Sequence, residues 1–194
     1  VGLAAAFKEE AAKQGLQVVE EKYTKDDKDF KSILTNIKNQ TPDAIFIPDY
    51  YGTVGLIATQ AKELGMTAKY LGGDGWDGVQ KDFAAVTEGA VFASQFAPDD
   101  TTPMVQKFIA AYKVKTGTDP NVFAALGYDT GNLIEAALKV AKDTSSEAVR
   151  DALKGLSLEL VTGKLVFDAD RNPQKAVTFV EVKGGKVVLK EKVQ

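Results

Sequence analysis

The sequence predicts an α/β fold with a mostly parallel sheet, and three observations support this assignment. Helical and extended patterns alternate four times in the first half of the 194 residues, which is typical of strands joined by right-handed helical crossovers. Amphipathic helical patterns then follow one another over about residues 103–154 with no strand between them. Strand patterns return from Gly163 onward and include a Gly184-Gly185 turn, which is a signal for a β-hairpin.

The elements of the first half are predicted from apolar spacing and from the residues that end each segment. Phe30, Leu34 and Ile37 fall on one face of a helix after an Asp-rich start, and the short apolar run from Ala44 to Pro48 indicates a buried strand. In chain order the predicted elements are a helix over 3–15, a strand over 16–20, a helix over 30–37, a strand over 44–48, a helix over 54–65, a strand over 70–71, a short helix, and a strand over 90–94.

The second half predicts helices whose apolar faces have no sheet to cover them. Helices around Phe108 and Leu133 are followed by a third that begins at Thr144, whose spacing to Glu147 matches a capping box. Strands are predicted over 164–167, 176–182 and 186–189. Because these strands are too few to cover three amphipathic helices, we expect a further part of a larger molecule or a second chain to bury them.

The composition excludes several kinds of catalytic and metal chemistry. The chain contains neither cysteine nor histidine, so a thiol nucleophile, a Ser-His-Asp triad and a zinc site with thiolate or imidazole ligands cannot form within it. An enzyme would have to use carboxylates, lysine, tyrosine or a cofactor. We expect no catalysis, no cofactor and no metal. The 24 basic and 27 acidic residues give a net charge of −3 with no dense basic cluster, so nucleic acid is not an expected partner.

Two acidic patterns imitate functional motifs and are interpreted as turns. Residues 168–172 resemble the start of a calcium-binding loop, but Pro173 replaces the required glycine and no glutamate occupies the twelfth position. Asp99 and Asp100 could suggest acid/base chemistry, but they follow a proline in a linker. We predict that these two residues bend the chain and stay solvated.

The leading candidate for ligand binding is Asp74, which follows a predicted strand and is flanked by Gly73 and Gly75. Such a turn sets a carboxylate at the carboxyl edge of a parallel sheet, where ligands of open α/β sheets bind. There it can accept a charge-assisted hydrogen bond from an ammonium group. The alternative is that it only accepts hydrogen bonds from the amides of its own turn. Trp76 either lines the pocket or packs the domain, and Asp77 is predicted as the N-cap of the next helix.

Two tyrosines at the end of the preceding strand form a second candidate. We expect only one of the rings of Tyr50 and Tyr51 to face a ligand, while the other faces away or lies along the start of the helix that follows. The alternative is that both are ordinary half-buried aromatic residues. Gly52 leaves room at the helix N-terminus, whose free amides could receive a carboxylate.

Four segments resemble the Leu/Ile/Val-binding class of periplasmic binding proteins, which are the substrate receptors of ABC importers. They are residues 43–52, DAIFIPDYYG; residues 72–77, GGDGWD; residues 123–129, FAALGYD; and residues 161–168, VTGKLVFD. The resemblance implies a type I fold of two α/β lobes that are joined by three crossovers and close on a solute like a hinge. It assigns residues 1–96 to the second lobe, 97–162 to helices of an incomplete first lobe, and 163–194 to a crossover and strands that return to the second lobe.

The resemblance also implies roles for single residues and for partners. Asp74 stands where the family has an acidic residue that binds the ligand's α-amino group, Tyr50 is favoured over Tyr51 as a ligand contact, and Tyr128 contacts either the ligand or, as we prefer, a crossover. The first lobe is expected to bind most of the ligand carboxylate. Expected partners are an amino acid or similar solute, an ABC permease, and a missing N-terminal half or a second copy of the chain. The expected location is periplasmic or attached to the cell surface, with an export leader that is absent from this chain.

Three other functions remain compatible with the sequence. A sensory ectodomain of the same fold would bind the same kind of ligand and signal rather than deliver it. An enzyme would have to use Asp74 as a base, which the absence of histidine disfavours. A fragment or scaffold that binds nothing would be stable only when paired with a missing half or with itself.

Overall fold

The computed structural model describes residues 2–193, which form two compact units. The first unit consists of residues 2–93 and 181–187, and the second unit consists of residues 94–180 and 188–193. The chain therefore passes from one unit to the other at 93/94, 180/181 and 187/188. The assignment of residues 1–96, 97–162 and 163–194 to the lobes of a larger protein stays a prediction.

The first unit is built on parallel strands. Its elements are α1 (Gly2–Lys13), α2 (Lys31–Asn39), β1 (Ala44–Ile47), α3 (Tyr51–Glu63), β2 (Lys69–Gly72), α4 (Val79–Thr87) and β3 (Val91–Ser94). β1 pairs in parallel with β2, and β2 pairs in parallel with β3, which confirms the predicted parallel sheet. The register sets Ile47 opposite Gly72, so β1 and β2 end level with each other.

One predicted strand of this unit is wrong. Residues 16–20 form no strand, although their pattern is extended and apolar. Leu16 and Val19 are 62% and 59% exposed, so the pattern does not mark a buried position in the sheet. Gly15 has a φ of 72° and the Leu16 amide donates back to the Ala11 carbonyl, which makes this segment the exit from α1.

The packing of α3 against α4 depends on a glycine. A Cβ at Gly55 would lie 2.2 Å from Cδ2 of Phe83, so only glycine lets the phenyl ring lie against α3. Phe83 has a φ of −126°, and α4 is kinked at this contact. The other buried residues of α3 follow the helical period along one face, and they are Val54, Ile57, Ala58 and Ala61.

The second unit combines helices with a small antiparallel sheet. Its elements within residues 94–180 include α5 (Pro103–Thr116), α6 (Val122–Val140), α7 (Ser146–Lys154), β4 (Ser157–Leu160), β5 (Gly163–Phe167) and β6 (Pro173–Gln174). β5 pairs antiparallel with β4 and with β6. Of these three strands, the sequence predicts β5 and misses β4 and β6. The buried apolar residues of this unit form a core cluster, which consists of Phe96, Val105, Phe108, Val122, Ala125 and Val161.

Two helices of the second unit begin at capping side chains. Oδ1 of Asn121 accepts from the Ala124 amide at 3.0 Å, and Oγ of Ser145 accepts from the Ala148 amide at 3.3 Å. The predicted cap at Thr144 is therefore wrong by one residue. Because α7 starts at Ser146, the hydroxyl that reaches a free amide of its first turn belongs to Ser145.

Two longer strands complete the larger sheet. β7 (Val177–Lys183) and β8 (Lys186–Val193) are joined by Gly184 and Gly185, whose φ values of 58° and 74° suit a two-residue hairpin turn. The predicted hairpin is confirmed. The strand order is β1-β2-β3-β7-β8, and Val182 accepts from the Gly89 amide and donates to the Ala90 carbonyl.

The acidic segment between β5 and β6 is a turn, as predicted. Oδ1 of Asp168 accepts from the amides of Asp170 and Asn172 at 2.9 and 2.8 Å. The hydrogen bond from the Asn172 amide is the largest reason that the pKa of Asp168 lies below its usual value. The carboxylate thus stabilises the turn.

The prediction that Asp99 and Asp100 both stay solvated is wrong for Asp100. Asp100 is buried, accepts from the Thr102 amide at 2.9 Å and forms an ion pair with Lys192. Burial raises the pKa of Asp100, but the hydrogen bonds from Lys192 and Thr102 outweigh it, so the pKa is lowered overall. Asp99 is exposed and accepts from the Leu189 amide at 2.7 Å. Both carboxylates therefore tie β8 to the segment that follows β3.

We expect Asp100→Asn to lower the free energy of unfolding by about 2 kcal/mol at pH 7, because Lys192 loses its charged partner and Thr102 a strong acceptor. The lowered pKa of Asp100 means that its contribution is present above the unfolded-state pKa of about 4 and is lost as the pH falls through the folded-state value. Urea unfolding should therefore show a difference between wild type and variant that shrinks below about pH 4. Asp99→Asn is the matched control, and an equal loss in both variants would contradict a special role for Asp100.

Candidate functional site

The loops that follow β1 and β2 lie side by side at the carboxyl edge of the sheet. They are adjacent because Ile47 and Gly72, the last residues of the two strands, are partners in the parallel register. A Cβ at Gly75 would lie 2.7 Å from the carbonyl oxygen of Asp49 and 3.3 Å from Cα of Tyr50. Only glycine permits this approach, so the two predicted binding segments touch each other through Gly75.

Asp74 opens a single 3-10 turn, Asp74–Trp76, on the exposed side of this edge. Its backbone carbonyl accepts from the Asp77 amide at 3.2 Å. Within residues 2–193 no hydrogen bond or ion pair is formed by the Asp74 carboxylate. The turn is thus satisfied by backbone groups, and the alternative in which the Asp74 side chain serves the turn amides does not describe this structure. The carboxylate is available to a ligand.

Trp76 lies behind the turn, inside the first unit. Its side chain is 0% exposed, and its ring stacks on Phe92 with 6.0 Å between centroids. The indole Nε1 donates to the carbonyl oxygen of Ile47 at 2.8 Å. A Cβ at Gly72 would lie 2.3 Å from Cε2 of the indole, so Gly72 makes room for the ring. Of the two roles predicted for Trp76, the structure shows packing.

Tyr50 and Tyr51 differ in exposure as the helix begins. Tyr50 is the extended N-cap residue of α3 and is 77% exposed, whereas Tyr51 is the first helical residue and is 45% exposed. A Cβ at Gly52 would meet no atom within 4 Å, so the first turn of α3 is open on that side. The ring of Tyr50 is therefore the more accessible of the two, and the Tyr50 backbone lies next to Gly75.

Asp49 and Tyr23 support Tyr50, and sequence reasoning missed both. Oδ1 of Asp49 accepts from the Tyr50 amide at 2.7 Å, and Oδ2 accepts from the Tyr23 hydroxyl at 2.8 Å. Burial raises the pKa of Tyr23, and the hydrogen bond to Asp49 raises it further. The sequence signal for Asp49 is an acidic residue directly after a buried strand, but nothing local points to Tyr23 as its partner.

The prediction that Asp77 caps the next helix is wrong. α4 begins at Val79, and its N-cap position is Gly78, which has a φ of 102°. That left-handed conformation suits glycine and separates Asp77 from the helix by one residue. Asp77 instead ends the turn that starts at Asp74.

Tyr128 belongs to the second unit, whereas Asp74 and Tyr50 belong to the first. It is 53% exposed, and its ring centroid is 5.1 Å from that of Phe108. The neighbouring Asp129 is buried and accepts from the amides of Val161 and Thr162 at 2.9 and 2.8 Å. Asp129 thus caps the turn between β4 and β5, a role that sequence reasoning also missed.

Lys175 adds a charge beside this capped turn. Its Nζ donates to Oγ1 of Thr162 at 2.6 Å. Burial lowers the pKa of Lys175, and the negative charge of Asp129 partly offsets that effect. These contacts are internal to the second unit and stabilise the β4–β5 connection.

Residues 2–193 contain no cluster of three or more acidic side chains arranged to hold a metal ion. None of the helices in that range combines the length and apolar character that a membrane span requires.

The site at the carboxyl edge of the first unit consists of a free carboxylate, an exposed aromatic ring and glycine-rich backbone. Such a set can bind a cationic group next to an apolar one.

A model of a known protein family matches nearly the whole chain. The family is described as periplasmic binding protein, and the match covers residues 1–186. A leucine-, isoleucine-, valine-, threonine- and alanine-binding protein of Pseudomonas aeruginosa is 27% identical over 172 residues, which cover 86% of this chain and 45% of the relative. The chain spans about half the length of the curated relatives it matches.

Solved structures agree with the family match. The leucine-binding protein LivK of Thermotoga maritima has a TM-score of 0.90 and 29% identity, covering 100% of this chain and 56% of its own. LivJ of Streptococcus pneumoniae, in complex with isoleucine, has a TM-score of 0.79 and 32% identity, covering 95% of this chain and 55% of its own. The predicted fold class is confirmed, and this chain supplies about half of such a structure.

We expect Gly75→Ala to lower the free energy of unfolding by about 1–3 kcal/mol, because the new methyl group meets backbone atoms of Asp49 that cannot rotate away. Gly52→Ala is the matched control. Its methyl group enters open space in a helix, so its stability should be unchanged or raised by up to about 1 kcal/mol. Urea unfolding of both variants measures the difference, and equal stability would contradict the close approach of the two loops.

Proposed function

Because the chain belongs to the periplasmic binding protein family, we propose that it forms part of a two-lobed receptor that binds an amino acid or a similar small solute. Proteins of this family bind solutes and are in general not enzymes. The observation that carries the proposal is the free carboxylate of Asp74 on a turn that touches the backbone of the loop with the exposed Tyr50. Both lie at the carboxyl edge of a parallel sheet, where α/β proteins bind ligands.

The chemistry of this edge suits a ligand with an ammonium group and an apolar body. Asp74 can accept a charge-assisted hydrogen bond from the ammonium group, and such bonds are about twice as strong as neutral ones. Tyr50, 77% exposed, offers a ring face to the apolar part. Relatives named for leucine, isoleucine and valine support an apolar amino acid as the ligand.

Three further aspartates of the two units have structural roles and do not support an enzyme. Asp49 and Asp129 each accept two hydrogen bonds, and Asp100 pairs with Lys192, so these carboxylates already have structural partners. Within residues 2–193 the Asp74 carboxylate forms no hydrogen bond or ion pair with another titratable side chain. We therefore propose binding without turnover.

Delivery to an ABC permease and an exported location belong to the same proposal. They rest on the family and on relatives of which this chain covers about half. A sensory ectodomain of the same fold is the second candidate, since it would use the same residues at the site. Transport of the bound solute in a reconstituted importer would distinguish the two.

We also propose that the exposed face of α6 is covered in the intact receptor. Phe123, Ile134 and Leu138 are 69%, 49% and 47% exposed along one side of the helix. Gly127 and Gly131 lie between them, and a Cβ at either position would meet no atom within 4 Å. The remaining part of the first lobe is the proposed cover.

The isolated 194-residue chain is therefore expected to associate with itself, because contiguous exposed apolar side chains drive association. Light scattering after size-exclusion chromatography measures the mass. Replacing Ile134 and Leu138 with serine should shift the population toward monomer. A wild-type chain that stays a compact monomer at high concentration would contradict the proposed cover.

In the intact receptor we expect Asp74→Asn to weaken leucine binding by about 10- to 100-fold, because the charge-assisted hydrogen bond to the ammonium group is lost. Isothermal titration calorimetry with leucine measures the change. Asp82→Asn, which removes an equal charge from an exposed position of α4, is the matched control. Unchanged affinity in Asp74→Asn would refute the proposed site.

A further inference from the structure

The indole N–H of Trp76 joins the two loops that carry Asp74 and Tyr50. Its acceptor is the carbonyl of Ile47, the last residue of β1, which also accepts from the Asp49 amide at 3.0 Å. This one carbonyl is therefore bonded both to the Tyr50 loop and, through the indole, to the Asp74 turn. The bond is buried, since Trp76 is 0% exposed.

On the other side of this link, the Tyr50 loop is fixed by its own contacts. Asp49 accepts from the Tyr50 amide and from the Tyr23 hydroxyl, at 2.7 and 2.8 Å. The ring of Tyr23 is held in turn by an edge contact with the buried Phe30, at 5.2 Å between centroids. The backbone from Ile47 to Tyr50 is thus anchored at both ends.

The Asp74 side chain, unlike that of Asp49, has no anchoring contact within the described residues. Within the described part of the chain, the Asp74 carboxylate has no partner, so its place is determined by the backbone of the turn alone. That turn is a single 3-10 turn closed by two hydrogen bonds, from the Trp76 amide to the Gly73 carbonyl at 3.1 Å and from the Asp77 amide to the Asp74 carbonyl at 3.2 Å. Such short turns are weak by themselves. The Trp76 side chain is the side chain of the turn that reaches into the core.

We propose that Trp76 is a positioning residue of the ligand site, whose indole N–H fixes the Asp74 carboxylate relative to Tyr50. The proposal rests on the proposed function, because it concerns the same carboxylate. Trp76 acts through Asp74 and does not touch the ligand. The affinity of a ligand that binds the Asp74 carboxylate should therefore depend on Trp76. The affinity of a ligand that does not bind this carboxylate should not.

Trp76→Phe tests this link, because it removes the N–H and keeps an aromatic ring in the core. The Ile47 carbonyl still accepts from Asp49, so no buried acceptor is left without a partner. The matched control is Phe92→Leu, which trims the ring stacked on Trp76 but leaves the N–H in place. Both variants reduce packing in the same part of the core, so a purely structural role predicts the same result in both.

Calorimetry on the intact receptor uses leucine and its analogue without the amino group, 4-methylpentanoate. We expect Trp76→Phe to weaken leucine binding by about three- to tenfold and to leave 4-methylpentanoate binding unchanged. In the Asp74→Asn background, Trp76→Phe should have no further effect, because the group it positions is gone. Equal weakening of both ligands, additive effects with Asp74→Asn, or the same loss in Phe92→Leu would overturn the proposal.

Amide hydrogen exchange gives a readout that needs no ligand. Trp76→Phe should speed exchange at residues 74–77 and 49–50 together, whereas Phe92→Leu should not. Unchanged exchange in both loops would overturn the positioning role even if leucine binds. A different result separates the link from the proposed function. If the wild-type receptor does not bind leucine but Trp76→Phe still speeds exchange in both loops, the link is supported and the proposed function is not.

Discussion

The carboxyl edge of the first unit depends on how Trp76 fills the space between the ends of β1 and β2. The two strands end level, at Ile47 and Gly72, and the indole lies where any side chain at Gly72 would have to be. A buried indole N–H without an acceptor would cost about 1–3 kcal/mol, and the Ile47 carbonyl removes that cost with a 2.8 Å hydrogen bond. With Trp76 directed inward, Asp74 at the other end of the short turn faces solvent.

The aspartates of the two units show why the free state of Asp74 is informative. Asp49, Asp129 and Asp168 also lie at turns, and each accepts backbone amide hydrogens that order the local chain. Asp74 lies at a turn of similar composition, but across residues 2–193 its carboxylate has no such bond. A carboxylate that its own turn does not need can bind a ligand without the loss of any hydrogen bond that stabilises the fold. This property suits a binding group.

Local patterns in the sequence predict the elements whose signals are contained within them. The parallel strands, the Gly184-Gly185 hairpin and the Asp168 turn all follow from apolar spacing and turn residues. Errors arise where a distant partner decides the outcome. Asp100 is buried and pairs with Lys192, 92 positions along the chain, and Leu16 and Val19 are exposed in a segment whose pattern predicts a strand. The same limit applies to the site, where Tyr23 reaches Asp49 across 26 positions.

The energetics of an exposed carboxylate explain why one lobe is not enough for selective binding. In water, two opposite charges about 4 Å apart attract by only about 1 kcal/mol, and the attraction grows severalfold when water is excluded. Asp74 is exposed in the first unit, so its attraction for an ammonium group is weak unless water is excluded, as closure of a second lobe would do in the proposed receptor. Closure over a ligand without that group would instead bury the carboxylate unpaired, at a cost of several kcal/mol. In the proposed receptor, selectivity for an amino acid therefore arises from closure and not from Asp74 alone.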